Sequence, residues 1–213
     1  MPLASTDRPA TREGPGHEAG RKLVLVTGVT DGIVTRRIVL TITTSSESMI
    51  AHAADVIDLA AWLATLSDRD YQACSPGHRA GGTFHEGGTL GSINVESVGG
   101  HLLIQHYLAA TSAPSHLVMH SRNTRVYVLH VFPATIEVIW TLEVEPVNGV
   151  SALFRCSVEA RIPMPLSIFA TLALLPFFLR RHVAGETPLF ARDLARKLSG
   201  GRADARSFPG ATS

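Results

Sequence analysis

Alternation dominates the middle of this chain. In 134–145, Ile136, Val138, Trp140, Leu142 and Val144 share one parity, against Thr135, Glu137, Thr141 and Glu143. In 149–161, Val150, Ala152, Phe154, Cys156, Val158 and Ala160 oppose Ser151, Arg155, Ser157, Glu159 and Arg161. A period of two with one apolar face predicts antiparallel strands buried on one side. The same reading places further strands at about 83–97, 101–109, 115–122 and 125–132, punctuated by "VGG", "SAP", "FP" and "VNG". Upstream the period changes. Leu59, Trp62, Leu63 and Leu66 fall at i, i+3, i+4 and i+7, which predicts a short helix capped by Asp58. Ser67 caps a second short helix, and "CSPGHRAGG" then breaks the chain.

The C-terminal part is apolar without alternation. "IPMPLSIFATLALLPFFL", residues 162–179, carries no charge and precedes Arg180 and Arg181. Two readings stand. By length it could span a thin bilayer, with the arginines on the cytoplasmic side. Pro163, Pro165 and Pro176 count against a straight span, and a helix buried against the sheet accounts for the same pattern. The order of elements is strand, two short helices, about six strands, long helix. This predicts an α+β fold: a curved antiparallel β-sheet of about six to seven strands gripping a long C-terminal α-helix, with two short helices after the first strand.

Composition narrows the function classes. The chain has 213 residues, is 45% hydrophobic and carries a formal net charge of +1. This fits one domain, residues 38–198, with an N-terminal extension (1–37, partly disordered) and a disordered tail (199–213). A near-neutral balance with scattered arginines argues against a nucleic-acid partner. Cys74 and Cys156 are too few and too far apart for a disulfide framework or a zinc knuckle. The polar first 20 residues contain no signal peptide. The expected location is cytoplasmic, with membrane-surface association through 162–179 left open. A homodimer is compatible with the sequence. "KLVLVTGVTDGIV" resembles the nucleotide-binding turn of short-chain dehydrogenases, but Val34 replaces the last glycine and no Tyr-x-x-x-Lys follows. It reads instead as a hairpin, or as a strand with an extension.

The element order and the apolar C-terminal helix resemble the helix-grip superfamily: START-related and Bet v 1-like proteins and polyketide cyclases (SRPBCC domains). "DLAAWLATLSDRDYQACSPGH", "GSINVESVGGHLLIQHY", "VIWTLEV" and "HVAGETPLFARDL" look like a bacterial branch of it. The resemblance implies a hydrophobic cavity between sheet and helix, for a lipid or polyketide-like small molecule.

Candidate chemistry comes from the histidines, ten in all. Strand parity puts His106 with Leu102, Ile104 and Leu108, and His130 with Val126 and Val128. A buried imidazole needs partners, so an imidazole on an apolar face is a candidate acid or base. His182 and Glu186 are four apart and share a face if the helix is unbroken. His106, His182 and Glu186 are therefore the catalytic candidates, and they are also candidate metal ligands. Gly185 and Pro188 weaken the helix there. In the alternative reading, Thr187 caps a new helix starting at Pro188, and Glu186 merely favours its N-terminus. His130, Trp140, Met119, Phe154, His85 and Glu86 are the substrate-binding candidates. Asn94 and Glu96 share a polar face that reads as solvent, or as cavity if the sheet curls, and His101, His116 and His120 read as surface. Helix-grip proteins resembling diacetylphloroglucinol hydrolase hold zinc on His and Glu ligands, including a His-x-x-x-Glu pair near the C-terminus; here only His182 and Glu186 match. The leading expectation is an enzyme of cyclase, dehydratase or hydrolase type, using His-based acid/base chemistry on an aromatic or polyketide-like molecule with no cofactor. The alternatives are a non-catalytic carrier or sensor of a lipid-like ligand, and a zinc-dependent hydrolase.

Overall fold

A computed structural model of the chain describes residues 19–30, 33–164, 166 and 174–206. The sheet comprises β1 (Ala19–Thr30), β2 (Ile33–Ile50), β3 (His78–Glu86), β4 (Thr89–Val98), β5 (His101–Ala113), β6 (His116–Val128), β7 (Phe132–Asn148) and β8 (Ser151–Pro163). These eight strands lie in the order β1-β2-β8-β7-β6-β5-β4-β3, and every neighbouring pair is antiparallel. Two short helices, α1 (Leu59–Ala64) and α2 (Asp68–Ala73), follow β2, and α3 (Leu175–Arg206) closes the fold. This is the predicted α+β arrangement of a sheet gripping a C-terminal helix, with β1 added as an edge strand.

The capping residues act as the sequence implies. Asp58 accepts a hydrogen bond from the Ala61 N–H at 2.9 Å, and Ser67 accepts one from the Asp70 N–H at 3.1 Å. The alternation of β7 and β8 also places their side chains as read. Ile136, Val138, Trp140, Leu142 and Val144 are buried, as are Ala152, Phe154, Cys156, Val158 and Ala160. Val150 departs from this set because it sits at the β7–β8 turn, 75% exposed.

Several boundaries move. The predicted strand 83–97 is two strands, β3 and β4, hinged at Gly87 and Gly88, whose φ values of 55° and 82° favour glycine. The predicted strands 115–122 and 125–132 are one strand, β6. An irregularity between Ser121 and Thr124 shifts its register against β7. The predicted limits at residues 37 and 199 fall inside β2 and α3. The hairpin reading of the segment containing Gly28 holds, since β1 and β2 pair along their length.

Part of the membrane-or-helix question at 162–179, residues 165 and 167–173, lies outside the described residues, as does the disorder expected before residue 19 and after 206. Within them, Ile162 and Pro163 end β8, and α3 begins at Leu175. Among the described residues, no helix is long and apolar enough to cross a membrane.

Helix α3 does not break at Pro188. Pro188 is exposed, so the carbonyl it leaves without a partner lies on the watery side of the helix. Thr187 does not cap a new helix, because its hydroxyl donates back to the Val183 carbonyl at 2.6 Å. On the inner side Leu179, Val183, Glu186, Phe190 and Leu194 form one buried stripe at helical spacing. Phe190 packs between Trp62 and Trp140, with ring centroids at 5.6 and 5.7 Å. Burial of large side chains is worth about 1.5–3 kcal/mol apiece, and this stripe anchors α3 across the proline.

Candidate active site

The concave face of the sheet and α3 enclose a cavity of about 30 Å³, lined by residues of β4, β5, β7, β8, α2 and α3. Its walls are mostly apolar, with Val98, Leu103, Ile136, Val138 and Val158 facing Leu175 and Leu179. One end is different. There Tyr71, Glu96, His182 and Glu186 line the cavity, and His78 packs behind them.

Four elements supply this polar end. The unbroken α3 puts His182 and Glu186 one turn apart, with His182 Nε2 3.2 Å from Glu186 Oε2. β4 contributes Glu96, with Oε2 3.5 Å from the same nitrogen. The first residue of β3 is His78, with Nε2 3.0 Å from Glu186 Oε2. Tyr71 in α2 stacks on the His78 ring at 3.9 Å and donates its hydroxyl to Glu96 Oε1. Two glycines permit the approach. A Cβ on Gly81 would come within 2.5 Å of the Tyr71 ring, and one on Gly77 within 3.2 Å of the His182 ring.

The proton inventory of this cluster is short. His78 Nδ1 lies 2.6 Å from the Tyr71 carbonyl, which can only accept, so Nδ1 carries the hydrogen. His78 Nε2 then presents a lone pair to a carboxylate oxygen at 3.0 Å. His182 Nδ1 is 3.4 Å from the Ser75 hydroxyl. Its Nε2 is buried near two carboxylates but aligned for a hydrogen bond with neither. Two imidazoles facing two carboxylates need added protons or a cation between them.

Electrostatics run the same way. Burial opposes a charge on His182, but Glu186 and Glu96 outweigh it and push its pKa up to about 11. Burial opposes a charge on Glu186 too, and His182 and His78 outweigh it, lowering its pKa to about 2. The Tyr71 and Tyr107 hydroxyls are held well above the ordinary phenol range by burial first and the carboxylates second. Both therefore remain hydrogen-bond donors near neutrality. Cys156 approaches Glu186 Oε1 at 3.8 Å, and burial followed by the Glu186 charge raises its thiol, so it is a weak donor rather than a nucleophile.

The donor set fits a metal ion. His78, Glu96 and His182 each offer a ligand atom within 4.8 Å of the others. Glu186 Oε2 lies within 3.2 Å of both imidazole nitrogens. Zinc bonds of ~2.1 Å in a tetrahedron imply donor–donor edges of about 3.4 Å. The observed 3.0, 3.2 and 3.5 Å lie around that value. The Nδ1 contacts of both histidines are of the kind that orient metal-binding imidazoles.

The remaining sequence candidates are dispersed. His106 is on the outer face, stacked on Phe84 with centroids at 5.0 Å. There it borders a shallow groove with His120 and Arg122. The apolar parity of "HLLIQHYLA" was misleading because the inward set is Leu103, Gln105 and Tyr107, while Ile104 is 36% exposed. His130 is also outside the cavity. β6 ends at Val128, and Leu129 and His130 turn with φ of 52° and 61°, which cancels the parity argument. His85 and Glu86 are exposed at the end of β3. Met119 and Phe154 are fully buried core residues absent from the cavity wall, whereas Trp140 lines it.

Sequence reasoning missed His78, Tyr71 and Gln105. Asn94 and Glu96, on the face read as solvent in preference to cavity, point inward at 4% and 8% exposure. His101, read as surface, is buried and accepts the Leu129 N–H on Nδ1. A legible signal for His78 was its place directly after the "SPG" turn, where the chain re-enters the sheet.

No family profile matches the chain, and no curated protein sequence does either. Solved structures match it by shape. The Zhui aromatase/cyclase from Streptomyces sp. R1128 is 11% identical, covers 74% of this chain and 96% of its own, and superposes with a TM-score of 0.53. Norcoclaurine synthase from Thalictrum flavum is 13% identical over 76% of this chain and 88% of its own, with a TM-score of 0.45. A START superfamily protein from Mycobacterium smegmatis is 11% identical over 74% and 97%, with a TM-score of 0.41. At such identities the likeness is one of fold, and the fold is the helix-grip fold.

Proposed function

We propose that this helix-grip domain is a metal-dependent hydrolase of a hydrophobic, aromatic or polyketide-like small molecule. His78, Glu96, His182 and Glu186 hold the ion, and zinc suits their donor types. One observation carries the reading: His78, Glu96 and His182 offer donor atoms within 4.8 Å of one another at one end of an apolar cavity, with Glu186 beside both imidazoles and the His182 Nε2 atom left unsatisfied.

A zinc ion there would polarise a substrate carbonyl and lower the pKa of a bound water. His78, Glu96, His182 and Glu186 would hold such an ion at the polar end of the cavity. The chain's own residues do the rest. The Tyr71 hydroxyl fixes Glu96 through Oε1 and leaves Oε2 facing the cluster. Cys156 and the two histidines fix Glu186. Trp140, Tyr107 and Phe190 offer aromatic surface to a flat substrate, and the aliphatic wall excludes bulk water. The cavity's 30 Å³ is about the room one water needs, so a ring-sized substrate requires the wall to open.

The same residues favour a second reading. The close His182–Glu186 pair can act as an acid/base couple without any ion, as a cyclase or dehydratase would use it. Metal content separates the two. Protein purified without chelator and assayed by elemental analysis should carry about one zinc per chain. His182→Ala and Glu186→Ala should lose it. Zinc-free wild-type protein that takes up none on dialysis would sink the hydrolase reading and favour the acid/base couple. A retained apolar molecule in metal-free, inactive protein would instead identify a carrier.

A further inference from the structure

Gln105 is an oddity of the cavity wall. It sits mid-strand in β5 with its inward neighbours Leu103 and Tyr107, only 3% exposed, and it lines the cavity. Its side-chain oxygen Oε1 has no hydrogen-bond partner. Burying an amide oxygen without a partner is costly, and leucine would fill the position without that cost. A polar group held in this way against stability is a mark of a recognition site.

Its surroundings define what it would recognise. Across the β4–β5 register Gln105 faces Asn94, whose Oδ1 is occupied by the Ser92 hydroxyl at 2.6 Å. Asn94 therefore offers the cavity its NH₂ group, and Gln105 offers an acceptor. Beside them stand the rings of Tyr107 and Trp140, 5.9 Å apart. The nearest anionic groups, Glu96 and Glu186, are engaged with Tyr71 and the two histidines. An acceptor in an aromatic wall with no free anion beside it suits a neutral donor, not an ammonium.

We propose that Gln105 is the specificity-determining residue of this cavity. Its Oε1 accepts a hydrogen bond from a ring hydroxyl of the ligand, and so selects hydroxylated aromatics over their ethers. The inference rests on the cavity being a site for aromatic ligands, but not on the metal. Sites that pair a buried polar group with a ligand hydroxyl reject the analogue that lacks it.

Two measurements test it. The first is the melting temperature of the metal-stripped protein. Gln105→Leu should melt about 2–4 °C higher than wild type, because it removes an unsatisfied buried group. A lower melting temperature would make Gln105 a structural residue and overturn the proposal. The second is calorimetric titration with 4-hydroxyacetophenone and 2,4-dihydroxyacetophenone, each beside its O-methyl ether. Wild type should prefer the hydroxylated member about tenfold, and Gln105→Leu should abolish the preference. Equal affinities in wild type, or no binding of any of them up to the solubility limit, would also overturn it. The zinc content of Gln105→Leu should equal that of wild type. Absence of zinc from both would count against the hydrolase reading while the melting and titration results still judged Gln105.

Discussion

Two clusters of charge hang from the same helix and differ in what completes them. Around Asp193, each acid meets a donor that always carries its protons. Trp62 Nε1 donates to Asp193 Oδ2 at 2.9 Å, Arg196 to Asp193 Oδ1, and Lys197 lies 3.2 Å from both Asp193 and Asp70. Arg196 reaches Asp70 as well, and is 61% exposed. This cluster is satisfied and wetted, and it ties α3 to α1 and α2. Around Glu186, the carboxylates meet imidazoles, which carry a positive charge only by taking up an added proton, as Glu186 and Glu96 favour at His182. The first cluster is complete as folded, and the second is complete only with added protons or a cation. Charge complementarity alone does not distinguish a fastening from a site; the supply of protons does.

The sharpest way to separate the two is to remove one oxygen from each. Glu186→Gln keeps the shape but takes away the anion between two imidazoles. Metal affinity and turnover should each fall by a factor of 100 or more, with the metal followed by competition against a chromophoric chelator. Asp193→Asn should do the reverse. It should cost about 1–3 kcal/mol of stability in urea, through the buried Trp62 bond, and leave zinc content untouched. Comparable metal loss in both variants would erase the distinction.

A smaller effect should appear in the pH dependence of the metal-stripped protein. The His182 pKa is raised from 6.5 to about 11, so its pairing stabilises the fold fully below pH 6.5 and is lost as pH rises through 11. The Glu186 pKa is lowered from 4.5 to about 2, so its pairing is fully present above pH 4.5 and is lost as pH falls toward 2. Both contributions overlap between 4.5 and 6.5, with His78, Glu96, Tyr71 and Ser75 facing the pair. The melting temperature should peak in that window, and His182→Ala should flatten the alkaline decline.

How much of this was legible in the sequence follows from where the hydrophobic rule holds. β7 and β8 turn one apolar face inward, and their alternation predicted burial along that face, Trp140 included, except for Val150 at their turn. The pair His182–Glu186 was legible because helical spacing survives an exposed proline. β4 and β5 inverted the rule. Their inner face carries Asn94, Glu96, Gln105 and Tyr107, while Ile93 and Ile104 face outward, 43% and 36% exposed. This inner face is more polar than the core, so parity assigned by hydrophobicity chose the wrong side there. His78 was hidden for another reason. It reaches the site across a turn, by a contact 108 residues distant in sequence from Glu186, which no local period encodes.

The smallest expected effect is the most direct test of that inversion. If β5 turned its Leu102–Ile104–His106 side inward, His106→Ala would empty the cavity of a titratable group and abolish turnover. In the fold described here the His106 ring lies outside against Phe84, its centroid 5.0 Å from the phenyl ring. Losing that stack should cost about 0.5–1 kcal/mol and shift neither zinc content nor turnover. Gly91 sharpens the reading, since a Cβ there would come within 2.3 Å of the same Phe84 ring. Gly91→Ala should therefore displace Phe84 and remove His106's partner. A double variant, Gly91→Ala with His106→Ala, should be less destabilised than the sum of the singles, because both remove one contact. Additive losses would mean that Phe84 and His106 do not meet, and the outward face of β5 would have to be reassigned.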